Sequence, residues 1–128
     1  MTPSKLLVAN RGEIAARICR AAEELGIATV AVHPLDDAAS GHTRKASQTV
    51  VLPGRGVAAY LDVEAVIDAA HETGADAIHP GYGFLAENAG FAQRCAAEGI
   101  TFVGHPPQTL ALFGVRHAAR RLAGVQGR

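Results

Sequence analysis

Short apolar runs alternate along the chain with longer stretches in which apolar residues recur at every third or fourth position. The runs have the length of buried strands, and they cover residues 5–9, 28–33, 48–53, 76–79 and 100–104. The stretches between them have helical periodicity. Because parallel neighbours need crossover connections, this alternation predicts a doubly wound α/β fold, with a mostly parallel five-stranded sheet and helices on both faces.

The ends of the predicted helices carry capping residues. We expect Asn10 to cap the first helix, with Glu13 completing a capping box and Gly26 ending the helix. A second long helix is predicted to begin at Asp62 and to end at Gly74. The inward face of the first helix is predicted to contain Ile14, Ile18, Ala21 or Ala22, and Leu25, and that of the third long helix Phe91, Ala92, Cys95 and Ala96. Shorter helices are predicted within residues 36–47 and 106–114.

The overall composition gives no indication of a nucleic-acid or membrane partner. The 128 residues carry 12 basic and 12 acidic side chains, and a net charge of zero gives no basis for binding nucleic acid or an anionic membrane. No apolar stretch has the length of a signal peptide or a membrane span, so we expect a single cytoplasmic domain. Cys19 and Cys95 are expected to be buried free thiols.

Ligands in open α/β sheets bind beyond the carboxyl ends of the strands. The turn after the first strand holds Asn10, Arg11 and a single glycine, Gly12, so it lacks the glycine-rich loop of a nicotinamide or flavin site. We expect Arg11 to be a solvated surface residue. The six histidines have no metal-ligand spacing, and His79 is expected to bond a neighbouring backbone group. The residues themselves predict neither a catalytic constellation nor a metal site.

The stretch HPGYGFLAEN, residues 79–88, follows the fourth predicted strand and is either a ligand-binding loop or an elaborate turn. Gly81 and Gly83 are expected to adopt backbone dihedrals that other residues resist, while Phe84 and Leu85 pack inward. The side chains left to face a ligand are Tyr82, Glu87 and Asn88.

Charged residues form a stripe on the first predicted helix, at Arg17, Arg20 and Glu24. On spacing alone this stripe is a solvated face whose charges pair among themselves. The alternative is a subunit interface, to which arginine is suited because its planar guanidinium binds carboxylates in a bidentate way.

Two motifs give the chain a family resemblance. ANRGEIA at residues 9–15 and HPGYGFL-x-EN at residues 79–88, with YL at 60–61 between them and F-x-G at 102–104, resemble the N-terminal domain of biotin carboxylases. These are the ATP-dependent subunits or domains of acetyl-CoA, propionyl-CoA, other acyl-CoA and pyruvate carboxylases. The resemblance implies a Rossmann-like, pre-ATP-grasp fold.

The resemblance also implies how the chain is divided. Residues 1–114 would form the biotin carboxylase N-terminal domain. Residues 115–128 hold four arginines and no acid, and would be a basic tail or the start of the connection to an ATP-grasp domain.

The complete family member is a ligase that uses ATP, Mg²⁺ and bicarbonate to carboxylate biotin held on a carrier protein. Its metal-binding carboxylates and its catalytic acid, base and arginine lie in the ATP-grasp and C-terminal domains. The resemblance therefore implies that these 128 residues contribute a cleft wall and a dimer surface, and that alone they neither catalyse the reaction nor bind its cofactors tightly. The expected partners are the remaining carboxylase domains, the biotin carboxyl carrier protein and a second copy of the chain.

Family positions can be carried over residue by residue. Arg17, Arg20 and Glu24 match positions at or near the dimer contact of the first helix, which favours the interface interpretation. The positions that match the loop facing the active site and the approach of biotin are Tyr82, Gly83, Glu87 and Asn88. Arg116 stands where the family has a lysine that contacts ATP phosphates.

Some positions depart from the family pattern. Ser47 and Gln48 replace two acids, and Val115 and Arg116 replace the last two residues of a G-D-K motif. These departures keep an alternative open, in which the chain is a truncated, non-catalytic paralogue that acts as a carboxylase-interaction module. A domain of another ATP-grasp enzyme is disfavoured by the loop motif at residues 79–88.

Overall fold

The sheet is parallel throughout. The computed structural model describes residues 3–37 and 41–103, and within them the strands are β1 (Lys5–Val8), β2 (Ala28–Pro34), β3 (Gln48–Leu52), β4 (Ala77–His79) and β5 (Thr101–Phe102). Their order is β3-β2-β1-β4-β5, and each neighbouring pair is parallel. The prediction of a five-stranded parallel sheet is confirmed.

Helices connect the strands. They are α1 (Gly12–Glu24), α2 (Gly41–Lys45), α3 (Gly56–Tyr60), α4 (Val63–Thr73) and α5 (Ala89–Ala97), with one turn of 3-10 helix at Leu35–Asp37. The short helix α3 is absent from the predicted elements, because five residues are too few to display a helical period. The helix predicted within residues 106–114 lies outside the described residues.

Both faces of the sheet are covered, as predicted, because successive strand residues point to opposite sides. On one face α4 and α5 pack on a core that includes Leu7, Val30, Val32 and Ile78. On the other face α1 packs on Leu6, Val8 and Ala77. No helix among the described residues is long and apolar enough to cross a membrane.

The buried face of α1 differs from the predicted one. Its fully buried residues are Ala15, Cys19 and Ala22, whereas Leu25 is 73% exposed. Small side chains occupy the line of closest approach to the sheet, so Ile14 and Ile18 lie at its margins and are half-buried. Leu25 was expected to point inward, but it is the residue where the chain leaves the helix.

Helix ends follow the prediction at α4 and at the end of α1, where Gly26 follows the helix with a left-handed φ of 74°, and depart from it at the start of α1. Asp62 accepts a hydrogen bond from the Ala65 backbone N–H at 3.1 Å, and Gly74 ends α4 with a left-handed φ of 75°. At α1 the N-cap residue is Arg11, and no side-chain oxygen caps the helix. The predicted capping box of Asn10 and Glu13 is therefore wrong.

The remaining helical predictions are mostly confirmed. On α5, Phe91, Ala92 and Cys95 are buried, but Ala96 is exposed because it lies one residue beyond that face. Cys19 and Cys95 are both buried and free. Burial raises the pKa of the Cys95 thiol to about 11, so the thiol stays protonated inside the core.

Candidate functional site

The ends of β1 and β4 meet at the carboxyl edge of the sheet. Val8 pairs with His79 in the register of the two strands, and the Ala9 N–H donates to the His79 carbonyl at 2.9 Å. The chain that continues from β1 therefore lies beside residues 79–88, which we call the HPGYG loop. This is the edge at which the sequence predicts a ligand.

Asn10 links the first strand to the HPGYG loop. Its side chain is 1% exposed, and Nδ2 donates to the Pro80 carbonyl at 2.8 Å and to the Tyr82 carbonyl at 2.7 Å. Its Oδ1 accepts from the Arg11 N–H at 2.8 Å. The predicted capping role fails because the amide is turned toward a loop 70 residues further along the chain.

Gly81 lies directly against this amide. It has a φ of 67°, and a Cβ at this position would lie 2.7 Å from Asn10 Nδ2 and 2.9 Å from Ile14 Cγ2. Both the backbone conformation and the lack of space therefore require glycine. Gly83 also has a φ of 67°, which confirms the predicted backbone role of the two glycines.

The rest of the loop is held by the core and by the start of α5. Leu85 is buried, and the ring of half-buried Phe84 lies 5.5 Å from that of Tyr60, centroid to centroid. The inward packing expected of Phe84 and Leu85 is thus confirmed. Further along, Asn88 Oδ1 caps α5 by accepting from the Phe91 N–H at 2.9 Å.

The His79 side chain bonds the backbone of the loop to which it belongs. Its Nδ1 accepts a hydrogen bond from the Gly81 N–H at 3.1 Å, which confirms that the ring satisfies a nearby backbone group. Burial lowers the pKa of His79, so the ring is held in the neutral form that can accept this bond.

The predicted ligand-facing residues all lie on this loop. Tyr82 is 76% exposed, and Gly83 and Glu87 are exposed as well. Asn88 differs, because its side-chain oxygen is engaged as the cap of α5. Tyr82 thus projects from a segment whose backbone is fixed before and after it. Arg116, the remaining predicted contact, lies outside the described residues.

Arg11 is exposed, as predicted, and it also forms an ion pair that the sequence does not indicate. Its guanidinium contacts both carboxylate oxygens of Asp37, at 3.0 and 3.2 Å. Tyr60 donates its hydroxyl hydrogen to the same carboxylate at 2.6 Å. Burial and Asp37 raise the pKa of Tyr60, and Asp37 raises the pKa of Arg11, so the phenol stays protonated and the guanidinium stays charged.

A small cavity lies beside this ion pair. It measures about 150 Å³ and is lined by Arg11, Asp36, Asp37, Gly56 and Val57. Phe84 packs on the Tyr60 ring, so the network that begins at Arg11 also supports the far side of the HPGYG loop.

His42 fixes the start of α1 to the sheet. The buried ring bonds the Val32 carbonyl through Nε2 at 3.1 Å and the Gly12 N–H through Nδ1 at 3.4 Å. These partners assign the hydrogen to Nε2, which leaves Nδ1 to accept. Burial lowers the pKa of His42. A sequence pattern alone gives no signal for this role, because both partners are backbone groups brought close by folding.

The departures at Ser47 and Gln48 lie away from the loop. Ser47 and Thr29 exchange two hydrogen bonds, each from a backbone N–H to the other's hydroxyl oxygen, at 3.2 and 3.0 Å. Gln48 Oε1 accepts from Lys5 Nζ at 3.1 Å. Both residues stand at the start of β3 and so at the amino edge of the sheet, opposite the HPGYG loop.

The charged stripe of α1 is exposed at Arg17, Arg20 and Glu24. It lies on a different side of the helix from the buried Ala15 and Cys19. Among the described residues, no ion pair involves any of the three stripe residues, so the self-paired interpretation is not observed. Across residues 3–37 and 41–103, no three His, Cys, Asp or Glu side chains come together as a metal site.

Comparison with known proteins gives consistent matches. A family model described as the biotin carboxylase N-terminal domain matches residues 2–110. Methylcrotonoyl-CoA carboxylase subunit alpha, mitochondrial, of Oryza sativa is 52% identical over 124 residues, which are 96% of this chain and 17% of that protein. The biotin carboxylase of Pseudomonas aeruginosa is 50% identical over 125 residues, which are 94% of this chain and 28% of that protein.

A solved structure shares both the fold and much of the sequence. The biotin carboxylase domain dimer of Hydrogenobacter thermophilus 2-oxoglutarate carboxylase, in complex with MgADP, ADP and bicarbonate, superposes with a TM-score of 0.86 at 46% identity. The match covers 89% of this chain and 25% of that one. The chain thus spans well under a third of the length of each of these three relatives.

Proposed function

Because the chain belongs to the biotin carboxylase N-terminal domain family, we propose that it forms one wall of the cleft in which an ATP-dependent ligase carboxylates carrier-bound biotin. The observation that supports this most directly is the HPGYG loop. It lies at the carboxyl edge of a parallel sheet, where ligands bind, and it presents Tyr82 with 76% of its surface exposed.

Tyr82 suits the approach of a ureido ring such as that of biotin. A phenol offers an apolar face, and its hydroxyl can donate or accept one hydrogen bond. The glycine that follows, Gly83, leaves the space beside the ring open. Glu87 and Asn88 complete the exposed part of the loop, with Asn88 acting chiefly as the cap of α5.

ATP and Mg²⁺ are proposed for the complete protein. Phosphoryl transfer needs cations positioned around the phosphates, and Arg116 is the residue of this chain that we assign to phosphate contact. The two departures at Ser47 and Gln48 lie at the edge of the sheet opposite the HPGYG loop. The chemistry itself is assigned to the domains that carry the metal-binding carboxylates.

The charged stripe of α1 is proposed as part of a homodimer contact. Arg17 and Arg20 are exposed and have no ionic partner within the described residues, so they are available to carboxylates of a second subunit. The carrier protein and the remaining carboxylase domains are the other proposed partners, and a cytoplasmic location stays a prediction.

The cleft assignment is tested with Tyr82→Phe in a complete biotin carboxylase that carries this domain. Loss of one hydrogen bond is expected to raise the KM for biotin by about threefold to tenfold, while bicarbonate-dependent ATP cleavage keeps its rate. Steady-state kinetics with biotin and with ATP as the varied substrate separate the two effects.

Glu72→Gln serves as the matched control, because Glu72 is exposed on α4 and does not belong to the carboxyl edge. The 128-residue chain alone gives the baseline and is expected to be inactive. An unchanged dependence on biotin in Tyr82→Phe would refute the role given to this residue.

A further inference from the structure

The backbone of the HPGYG loop turns around a single buried side chain. The carbonyls of Pro80 and Tyr82, on either side of Gly81, both accept hydrogen bonds from Asn10 Nδ2, at 2.8 and 2.7 Å. One peptide group before Tyr82, between Pro80 and Gly81, and one after it, between Tyr82 and Gly83, are thereby held by the same amide. The direction in which Tyr82 leaves the loop depends on these peptide planes.

Asn10 uses three of the four hydrogen-bonding positions of its side-chain amide. Both amide hydrogens are donated to the loop, and Oδ1 accepts from the Arg11 N–H at 2.8 Å. That third bond fixes the rotation of the amide, so nitrogen rather than oxygen faces the loop. The Asn10 side chain is only 1% exposed, and its bond to the Pro80 carbonyl is buried, so loss of the amide leaves that carbonyl unsatisfied.

Steric contact acts together with the hydrogen bonds. Gly81 approaches Asn10 and Ile14 so closely that a Cβ would lie 2.7 and 2.9 Å from their side-chain atoms. The loop therefore cannot move toward α1, and the two hydrogen bonds keep it from moving away. Farther along, the Phe84 ring on Tyr60 and the Asn88 cap hold the other end of the loop.

We infer that Asn10 is a positioning residue for Tyr82, which acts by holding the two carbonyls that flank Gly81. Asn10 makes no contact with a ligand in this role. It sets the position of the one exposed aromatic side chain of the loop, and its replacement releases Tyr82 while the sheet stays intact. This inference rests on the proposed function only for its consequence in catalysis, since the positioning itself is a property of the folded chain.

The chain offers a direct spectroscopic test. It has two tyrosines and no tryptophan, and Tyr60 is buried whereas Tyr82 is exposed. Incorporation of 3-fluorotyrosine gives one fluorine resonance for each of the two tyrosines. The resonance that disappears in Tyr82→Phe is that of Tyr82. In Asn10→Ala we expect the Tyr82 resonance to move toward its position in the unfolded chain, while the Tyr60 resonance stays where it is.

Backbone relaxation supplies a second readout. The order parameters of the Tyr82 and Gly83 amides are expected near about 0.85 in the unmodified chain, and below about 0.6 in Asn10→Ala. Asp62→Ala is the matched control, because it also removes a side-chain bond to the backbone, but at α4. It is expected to lower stability without changing either tyrosine signal.

Three results would overturn the inference. The first is a folded Asn10→Ala chain with unchanged Tyr82 and Gly83 order parameters, and the second is an equal loss of order in Asp62→Ala. The third, which needs no variant, is an order parameter below about 0.6 for Tyr82 in the unmodified chain. If Asn10→Ala does not fold, Gly81→Ala displaces the loop from the other side of the same contact and is expected to give the same Tyr82 shift.

Failure of this inference and failure of the proposed function are distinguishable. The spectroscopic result depends on no enzymatic activity, whereas the kinetics of Tyr82→Phe depend on no loop motion. In the complete enzyme, Asn10→Ala is expected to raise the KM for biotin as Tyr82→Ala does, with the rate of ATP cleavage kept.

Discussion

At the scale of single residues, two histidines are held neutral by their surroundings. His42 connects the Val32 carbonyl with the Gly12 N–H, and His79 accepts from the Gly81 N–H. Burial lowers the pKa of each ring, and for His42 the hydrogen bond to the Val32 carbonyl and then the charge of Asp37 oppose this shift in part. Both rings belong to the framework of the carboxyl edge and not to its exposed surface.

The lowered pKa values make stability depend on pH. Below the ordinary histidine pKa of about 6.5, the two histidines bind protons in the unfolded chain but not in the folded chain. The free energy of unfolding therefore falls as the pH falls. The contribution of these rings is complete above that value. Between about pH 7.5 and about pH 5.5 we expect the urea midpoint to decrease, with a limiting slope of about 1.4 kcal/mol per pH unit for each ring.

His42→Gln is the variant that tests the assignment. Its stability at neutral pH is expected to be lower, because the bridge to Val32 and Gly12 is lost, but the pH dependence over the same range should become shallower. Equal slopes for the variant and the unmodified chain would show that His42 does not contribute. The carboxylates with lowered pKa, such as Asp76, lose their contribution only at more acidic pH.

At the scale of elements, helix caps decide where the loops begin and end. Asn88 caps α5 and Asp62 caps α4, whereas the start of α1 is fixed by His42 and by the ion pair of Arg11 with Asp37. Sequence rules find the first two because a cap and its helix are neighbours along the chain. They miss the third because its partners come from other elements.

The capping role of Asn88 can be tested by substitution. Asn88→Ala is expected to lower the free energy of unfolding by about 1 kcal/mol, whereas Asn88→Asp keeps a capping oxygen and should change stability little. Gln93→Ala, at an exposed position of the same helix, controls for the change in helix propensity. Urea unfolding followed by circular dichroism measures all three. A stable Asn88→Ala chain would contradict the capping role.

At the scale of the whole molecule, the proposed cleft wall and the proposed dimer surface lie on different parts of the sheet. The carboxyl edge carries the HPGYG loop, and one face is closed by α4 and α5. The other face is closed by α1, whose outer surface presents Arg17, Arg20 and Glu24. Because α1 begins directly after Asn10 and Arg11, the proposed dimer surface and the proposed cleft wall share one short segment of chain.

The dimer surface is tested by charge reversal. Sedimentation of the unmodified chain is expected to show association that depends on concentration, and Arg17→Glu with Arg20→Glu should weaken it at least about tenfold, or about 1.4 kcal/mol. Arg55→Glu reverses one charge at an exposed position outside the stripe and should leave association unchanged. Equal dissociation constants for the double variant and the unmodified chain would remove α1 from the interface.

Local patterns by themselves determined the parallel α/β architecture, the ends of α4, the burial of both cysteines and the glycine positions of the HPGYG loop. Each of these follows from periodicity, propensity or dihedral preference within a few neighbouring residues. The motifs that resemble the family also located the loop that carries Tyr82.

The tertiary structure alone decided the roles of Asn10, Arg11 and His42. Asn10 and Pro80 are 70 residues apart along the chain and meet only because β1 and β4 are neighbours in the sheet. Arg11 meets Asp37 and Tyr60 for a similar reason, at the carboxyl edge where separate connections converge. The buried face of α1 was also decided there, because close packing on a sheet selects small side chains over the larger ones that the helical period alone favours.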